Sequence, residues 1–340
     1  MSEMGLLTRR VFLSGASATV AGCVLPFGGD GWRPGELRVT FFNTGVGESM
    51  FWVLPDGTSV LLDCGDPSIA DRIVRLNPHG RDVDYLVLTH FHTDHADGFA
   101  TVAETLRFRT AIDRGWPDYR EPSDLPISQP WVRENMRKLY ARLAKRDGLV
   151  VEAARLGTAD QIVPRHDPDA CRGLSVKTIF ANGKIVRRDG SIRDIFTPEA
   201  WRCDSQPENL MSLGHLVTWG DFRFFTGGDF CDIFREKGKY VCYDDMLAEE
   251  METVDVAKVN HHGCDSLSRK LVAALRPKLW TACTWEPHHM SPPTMALLKD
   301  RTIYPGPCTI ATEAYGRHHV LTVIVPRGGK TFHIQNEELP

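Results

Sequence analysis

The stretch Leu88–Phe99, LTHFHTDHADGF, places three histidines and two aspartates within eight residues, directly behind the apolar run Tyr85-Leu86-Val87-Leu88. A short apolar run bounded by polar residues reads as a buried strand, so the cluster stands at a strand end. Side chains alternate there, which lets His90 and His92 point to one side. Asp94 and His95 lie a turn further on and reach a second point nearby. Imidazoles and carboxylates at this spacing suit two adjacent zinc-like ions. A single structural zinc would more usually recruit thiolates, and no cysteine stands in the stretch.

Two ions need more ligands, and other strand ends offer them. Asp229, in FFTGGD, follows the predicted strand Phe222–Thr226, and a carboxylate there can bridge both ions. His261 and His262, in KVNHHG, follow the predicted strand Val254–Val259, and an imidazole of this pair can complete the second site. Taken alone, an aspartate after Gly-Gly is an ordinary turn residue and a histidine pair says little; the first cluster gives both their weight.

The rest of the chain alternates strands and helices in two halves, with one ligand cluster at a strand end in each. Glu36–Phe42 and Met50–Leu54 read as a hairpin-like pair around the loop NTGVGES, followed by a strand Ser59–Leu62 and a helix Ile69–Leu76. Gly98–Leu106 reads as the next helix. In the second half Leu213–Trp219 and Phe222–Thr226 form another hairpin, and helices follow at Asp244–Glu252, Ser268–Leu275 and Thr294–Asp300. Between the halves, residues 113–200 are rich in Pro, Arg and Asp and contain one clear helix, Trp131–Arg146, so they read as an insertion or elaborated lid on a single domain spanning 36–340. The basic residues of that helix spread around it, the pattern of a solvated face.

A net charge of −4 over 340 residues gives no global basic field for nucleic acid, so any phosphate recognition is local. No apolar run reaches membrane-spanning length. Residues 1–35 read as an address: Arg9 and Arg10 precede a short apolar run, the pattern of a twin-arginine export signal, and Val20-Ala21-Gly22-Cys23 matches a lipoprotein cleavage box that would leave Cys23 as a lipid anchor. The expected location is therefore the periplasm or the outer side of the cytoplasmic membrane. Nine cysteines without CxxC spacing define no pairing, and buried free thiols are the plainer reading.

HxHxDH at a strand end, then TG–D, then HHG, resembles the metallo-β-lactamase superfamily. More narrowly, the chain is similar to the metallo-β-lactamase-like domain of the DNA-uptake channel protein ComEC. FFNTGVGESMFWVLPDG, LLDCG, ENLMSLGHLVTWGDFRFFTGGD and DVAKVNHHGCDSLS carry the narrower likeness, over residues 37–325 with 113–200 unmatched. The resemblance implies an α/β fold, a four-layer αβ/βα sandwich, and a two-metal hydrolase holding Zn2+ or Mn2+. Carried over residue by residue, His90 and His92 hold one ion, Asp94, His95 and His262 the other, and Asp229 bridges them. The further histidine that many members place before the bridging aspartate has no counterpart in the usual context: His166 and His215 are the only candidates, and Asn209 or Ser212 stand in to line that side.

A water activated by two cations would attack phosphorus or a carbonyl carbon. Asp94 would orient it, and a histidine such as His261, His288 or His289 would serve the leaving group. A phosphodiester or phosphate-ester hydrolase, acting on a small phosphoester or nucleic acid, is the first expectation. A lactonase or β-lactamase-like hydrolase and a non-catalytic binding module of the same fold are the alternatives. Trp116, Trp131, Trp201, Trp219 and Trp285 are candidate stacking surfaces for bases or a quaternary amine.

Overall fold

The computed structural model describes residues 31–115, 129–195, 207–231, 233–235, 239–264, 266–286 and 289–339. Of the expected leader over 1–35, residues 1–30, with Arg9, Arg10 and Cys23, lie outside the described residues, as do Trp116, Trp201 and His288.

Strands β1 (Leu37–Asn43), β2 (Ser49–Val53), β3 (Ser59–Cys64), β4 (Asp82–Val87), β5 (Arg107–Asp113) and β6 (Val150–Ala153) belong to one eight-stranded sheet. Strands β7 (Leu174–Ala181), β8 (Lys184–Val186), β9 (Ile192–Asp194), β10 (Gly214–Trp219) and β11 (Phe222–Thr226) start the other; β12 (Ile233–Arg235) and β13 (Lys239–Val241) pair separately; β14 (Val256–Lys258), β15 (Leu279–Thr281) and β16 (Thr309–Ile310) complete it. The chain then returns to the first sheet with β17 (His319–Val325) and β18 (His333–Glu338). The orders are β18-β17-β1-β2-β3-β4-β5-β6 and β16-β15-β14-β11-β10-β7-β8-β9.

Three apolar interfaces stack these sheets into four layers. Every residue of β1, β2 and β3 is buried, because each strand packs on both faces. In β1 the neighbours Phe41 and Phe42 split: Phe41 meets Phe224 of the opposite sheet edge-to-face at 5.6 Å between ring centroids, while Phe42 joins the cluster under the helices. That outer cluster takes Ile73 of α1 (Ala70–Leu76), Phe99 and Val102 of α3 (Gly98–Thr105), and Met136 and Leu139 of α4 (Pro130–Asp147), α2 being the short turn Thr93–Ala96. On the far side, Phe225, Ala257 and Trp280 pack under Leu271 and Leu275 of the helix Arg269–Leu275 and Leu298 of the helix Pro292–Lys299. The architecture is the expected α/β sandwich, with both hairpins antiparallel as read.

Residues 113–200 do more than cap the domain. β6 is the edge strand of the first sheet, paired with β5, and β7 is hydrogen-bonded along its length to β10 in the second. The described strands of this stretch therefore pair within the two sheets. The basic residues of α4 are engaged locally: Arg137 and Lys138 with Glu134, and Arg146 with the carbonyls of Ala103 and Leu106. The predicted helix Asp244–Glu252 is shorter, Tyr243–Ala248, and the predicted strand Val254–Val259 narrows to β14. No helix of the described residues is long and apolar enough to cross a membrane.

Candidate metal centre

The parallel pairs β3–β4 and β11–β14 end on the same rim of the two sheets, and the ligand-bearing loops leave from those ends. Leu213 N donates to Thr89 O at 3.0 Å, sewing the rims together. Asp229, expected to bridge, sits at the centre. Its Oδ2 lies 3.1 Å from His95 Nε2, 3.3 Å from His262 Nε2 and 3.9 Å from His90 Nε2. His262 Nε2 is 2.8 Å from Asp94 Oδ2, and His90 Nε2 is 3.0 Å from His92 Nδ1. The six residues read as metal ligands, His90, His92, Asp94, His95, Asp229 and His262, thus meet in one buried cage, although they come from positions up to 172 apart in sequence (262 − 90).

Hydrogen bonds on the outer side of each ring fix which nitrogen faces inward. His262 Nδ1 lies 2.7 Å from the Cys283 carbonyl, which can only accept, so Nδ1 carries the proton and the neutral ring turns its Nε2 lone pair to the centre. His95 Nδ1 lies 2.7 Å from Asp63 Oδ2 and is held the same way. Thr89 Oγ1 donates to Asp63 and is left to accept from His90 Nδ1 at 3.1 Å. The Nε2 atoms of His95 and His262 then face each other at 3.2 Å, beside carboxylate oxygens, with acceptors alone around the gap. Among the described residues, buried Asp229 Oδ1 has no hydrogen-bond partner. A cavity lined by inward lone pairs and carboxylates fits a cation and little else. Two sets of donor atoms, His90–His92–Asp229 and Glu48–His95–Asp229–His262, each lie within 4.8 Å of one another and form a candidate di-metal site sharing Asp229.

Charge follows the same geometry. Burial works against ionisation of Asp229, but His262 and His95 hold its carboxyl well below the ordinary range. Asp94, with burial opposed by His95 and His262, comes down to about 2. Burial favours neutral His262, yet Asp229 and Asp94 lift it to about 10, and the same carboxylates with Asp63 raise His95. Without a cation these rings take up protons, the charge a metal would replace. Burial lowers His90 and His92 instead.

Backbone conformation aims the ligands. His261 and His262 both sit in the left-handed region, at φ 46° and 51°, sparsely used by residues other than glycine. The turn swings His262 inward and His261 aside, where its Nε2 accepts from Asn209 Nδ2 at 3.1 Å. This assigns His262 to the cage and His261 to its margin. Ser212, expected to line that side, accepts from Asp229 N through Oγ at 3.1 Å. His289 stacks on His262 at 5.4 Å between centroids, and burial with His262 and His261 lowers it to about 4. Near neutral pH it is an uncharged ring that offers a hydrogen bond rather than an imidazolium proton.

Other expectations separate from the centre. His215 lies in β10, edge-to-face with Trp52 in the core, where burial lowers it to about 4. His166 stacks on His79 and bonds Asp84, away from the cage. Trp219 is core, Trp131 is exposed on α4, and Trp285, 45% exposed and 6.4 Å from both His262 and His289, stands at the rim. Cys64, Cys171, Cys283 and Cys308 are free thiols, consistent with the plainer reading.

Sequence reasoning assigned no role to Asp63, Glu48, Lys258 or the Arg114–Glu208 pair. Asp63, at φ 55°, accepts from Thr89 N, Thr89 Oγ1 and His95 Nδ1 at once. Glu208 accepts from Phe91 N, between the first two histidines, and from buried Arg114 through both oxygens. All but Arg114 lay inside quoted motifs, Asp63 in LLDCG, Glu48 in NTGVGES, Lys258 in KVNHHG and Glu208 at the head of ENLMSLGHLVTWGDFRFFTGGD, and that was the available signal.

Residues 43–171 match the model of the metallo-beta-lactamase superfamily, so over this stretch the chain is similar to that superfamily. The match runs on through 113–171, a stretch the sequence likeness left out. No curated protein matches the chain. Among solved structures, similarity extends to CmlA, a diiron beta-hydroxylase from Streptomyces venezuelae, at 13% identity and TM-score 0.43 over 82% of this chain and 53% of that one. A Cronobacter sakazakii metallo-beta-lactamase with a HARLDQ motif is similar at 17% identity and TM-score 0.29, over 56% of this chain and 60% of its own. A long form RNase Z from yeast follows at 10% identity and TM-score 0.38, over 75% and 38%. The chain thus spans about half of the first of these.

Proposed function

We propose that this protein is a binuclear metal-dependent hydrolase of phosphodiester or phosphate-ester bonds, of the ComEC-like branch of the superfamily, exported through a twin-arginine signal. The observation that carries the reading is the convergence of His90, His95 and His262, each with its outer nitrogen engaged, on Asp229. His90, His92 and Asp229 would hold one divalent cation, and His95, His262, Asp229 and Asp94 the other, with Zn2+ or Mn2+ suited to imidazole and carboxylate donors. When bound, such a pair supplies an activated water near neutral pH and neutralises charge that develops on the substrate oxygens. Asp94, ionised throughout the physiological range, accepts a hydrogen bond from the attacking water and orients it. His261 and His289, at the margin of the cage, offer hydrogen bonds toward the leaving group. The complete donor set supports an enzyme over a binding module.

A shared carboxylate between two sites suits in-line displacement at phosphorus. The apolar rim formed where Val46 pairs with Trp285 favours, as the second reading, an acyl substrate such as a lactone or β-lactam. A metal-loaded panel of bis-p-nitrophenyl phosphate, single-stranded DNA, a phosphocholine ester, a lactone and a cephalosporin separates the two. Turnover confined to the phosphoesters supports the proposal; turnover confined to lactone or cephalosporin replaces it with the second reading. For export, replacing Arg9 and Arg10 by Lys is expected to strand the precursor in the cytoplasm, and normal export of that variant would remove the leader from the account.

A further inference from the structure

Glu48 stands where no sequence expectation placed a ligand. Its backbone is locked from both sides: Glu48 N donates to Asp94 O at 2.9 Å, and Gly65 N donates to Glu48 O at 2.9 Å. The approach depends on Gly47, at φ 105°, where a Cβ would lie 2.2 Å from Asp94 O. The side chain is therefore delivered into the cage rather than left to find a place. It is wholly buried, and its two oxygens differ. Oε2 is paired with the ammonium of Lys258, which also donates to Gly228 O at 3.0 Å. Oε1 is buried and, among the described residues, has no hydrogen-bond partner. A carboxylate oxygen of Glu48 lies within 4.8 Å of the inward atoms of His95, Asp229 and His262.

Among the described residues no group donates to Oε1. His95 and His262 turn lone pairs inward when neutral, and Asp229 Oδ1 is itself unpartnered. Lys258 is committed to Oε2 and Gly228. A buried carboxylate oxygen left unmatched is costly, and a shared cation satisfies Glu48, Asp229 and both imidazoles together.

Resting on the metallohydrolase reading, we infer that Glu48 is a direct ligand of the cation held by His95, His262 and Asp229, with Lys258 anchoring its other oxygen. That cation then has four protein donors, two imidazoles and two carboxylates, before Asp94 is counted. The His90–His92–Asp229 side has three. A site filled by protein donors holds its ion, whereas a site with an open position takes water or substrate. The structure thus divides the pair into a retained cation beside Glu48 and an exchangeable one facing the substrate.

The test uses Zn2+ alone and the full chain. Ions per chain are measured after dialysis against chelators of graded strength, for the unmutated protein, for Glu48→Gln, and for the double variant Glu48→Gln/Lys258→Met, with thermal melts as the folding check. The expected result is a loss of roughly 10–100-fold or more in affinity for the retained ion in Glu48→Gln, and an equal loss in the double variant, although that variant no longer strands an ammonium. Recovery of unmutated affinity in the double variant would make Glu48 merely the partner of Lys258 and overturn the inference, as would unchanged affinity in Glu48→Gln; both outcomes leave the metallohydrolase reading standing. An unmutated protein that retains no ion would overturn both. Whether or not the variants fold, a crystal of the unmutated chain with one equivalent of Zn2+ decides directly: the ion is expected at about 2.0–2.2 Å from a Glu48 oxygen, and an ion beyond bonding distance would contradict the assignment.

Discussion

The two sides of the cage are built from the same residue types but in different electrostatic settings. Around His95 and His262 stand Asp63, Asp94, Asp229 and Glu48; Asp229 and Asp94 raise both imidazoles against burial, and Asp63 raises His95 as well. At His90, burial prevails over the pull of Asp229, and at His92 over that of Glu208, Asp94 and Asp229, so both rings are lowered. Glu208, which also faces His92, is already neutralised by Arg114. A cation on the first side meets a surplus of negative charge and rings fixed from behind, whereas one on the second side meets less of both. The lesson is that a ligand count read from a motif does not give affinity: the charges and hydrogen bonds behind the ligands separate two sites that HxHxDH presents as equals.

The largest expected effect comes from the residue both sides share. Asp229→Ala removes the common carboxylate, and we expect activity to fall on the order of 10³-fold or more, with bound metal dropping from two ions toward none by elemental analysis. Retention of two ions would break the comparison at its root. Next, His262→Ala and His92→Ala should part company. The first is expected to lose the tight ion and so most bound metal, the second only the weak one, as read by dialysis against a mild chelator; equal losses would mean equal sites. Smaller again, Asp63→Asn keeps the shape but weakens the hold on His95, and should reduce affinity for the tight ion about 10–100-fold while leaving the His90–His92 side nearly unchanged.

The smallest effect is in pH. His262 rises from 6.5 to about 10 in the metal-free protein. A raised folded-state value means that protonation stabilises the fold fully below about pH 6.5 and that this contribution fades as pH climbs through about 10. The metal-free melting temperature should therefore fall toward alkaline pH, and added Zn2+ should reverse the fall. Because the cation displaces that proton, affinity on this side should weaken as pH drops. A flat alkaline melting profile in the metal-free protein would remove the electrostatic contrast.

How much of this was legible in the sequence follows from distance along the chain and from backbone geometry. The cage's direct ligands were readable because strand-end periodicity and residue chemistry coincide within short stretches, as at His90 to His95 and at Asp229. From the residues alone His262 could not be told from His261, and only the family likeness chose it, since the choice depends on two left-handed residues in succession, which no local pattern announces. Asp63 and Glu48 act across loops that meet only after the sheets stack, with Glu48 and Lys258 separated by 210 positions. β7 was missed because its partner β10 lies beyond a Pro- and Arg-rich stretch, and β8 and β9 are three residues each, too short to carry a period. The four-layer architecture was accessible through the motif's family likeness and the two hairpins, whereas the contribution of 113–200 to both sheets was not.

Stepwise calorimetric titration of the metal-free protein with Zn2+ near neutral pH tests the account most directly. Two ions per chain are predicted, in two resolved steps of clearly different affinity, with the tighter step releasing protons and vanishing in His262→Ala. Binding of no ion, or of two with indistinguishable affinity that survive His262→Ala, would contradict it.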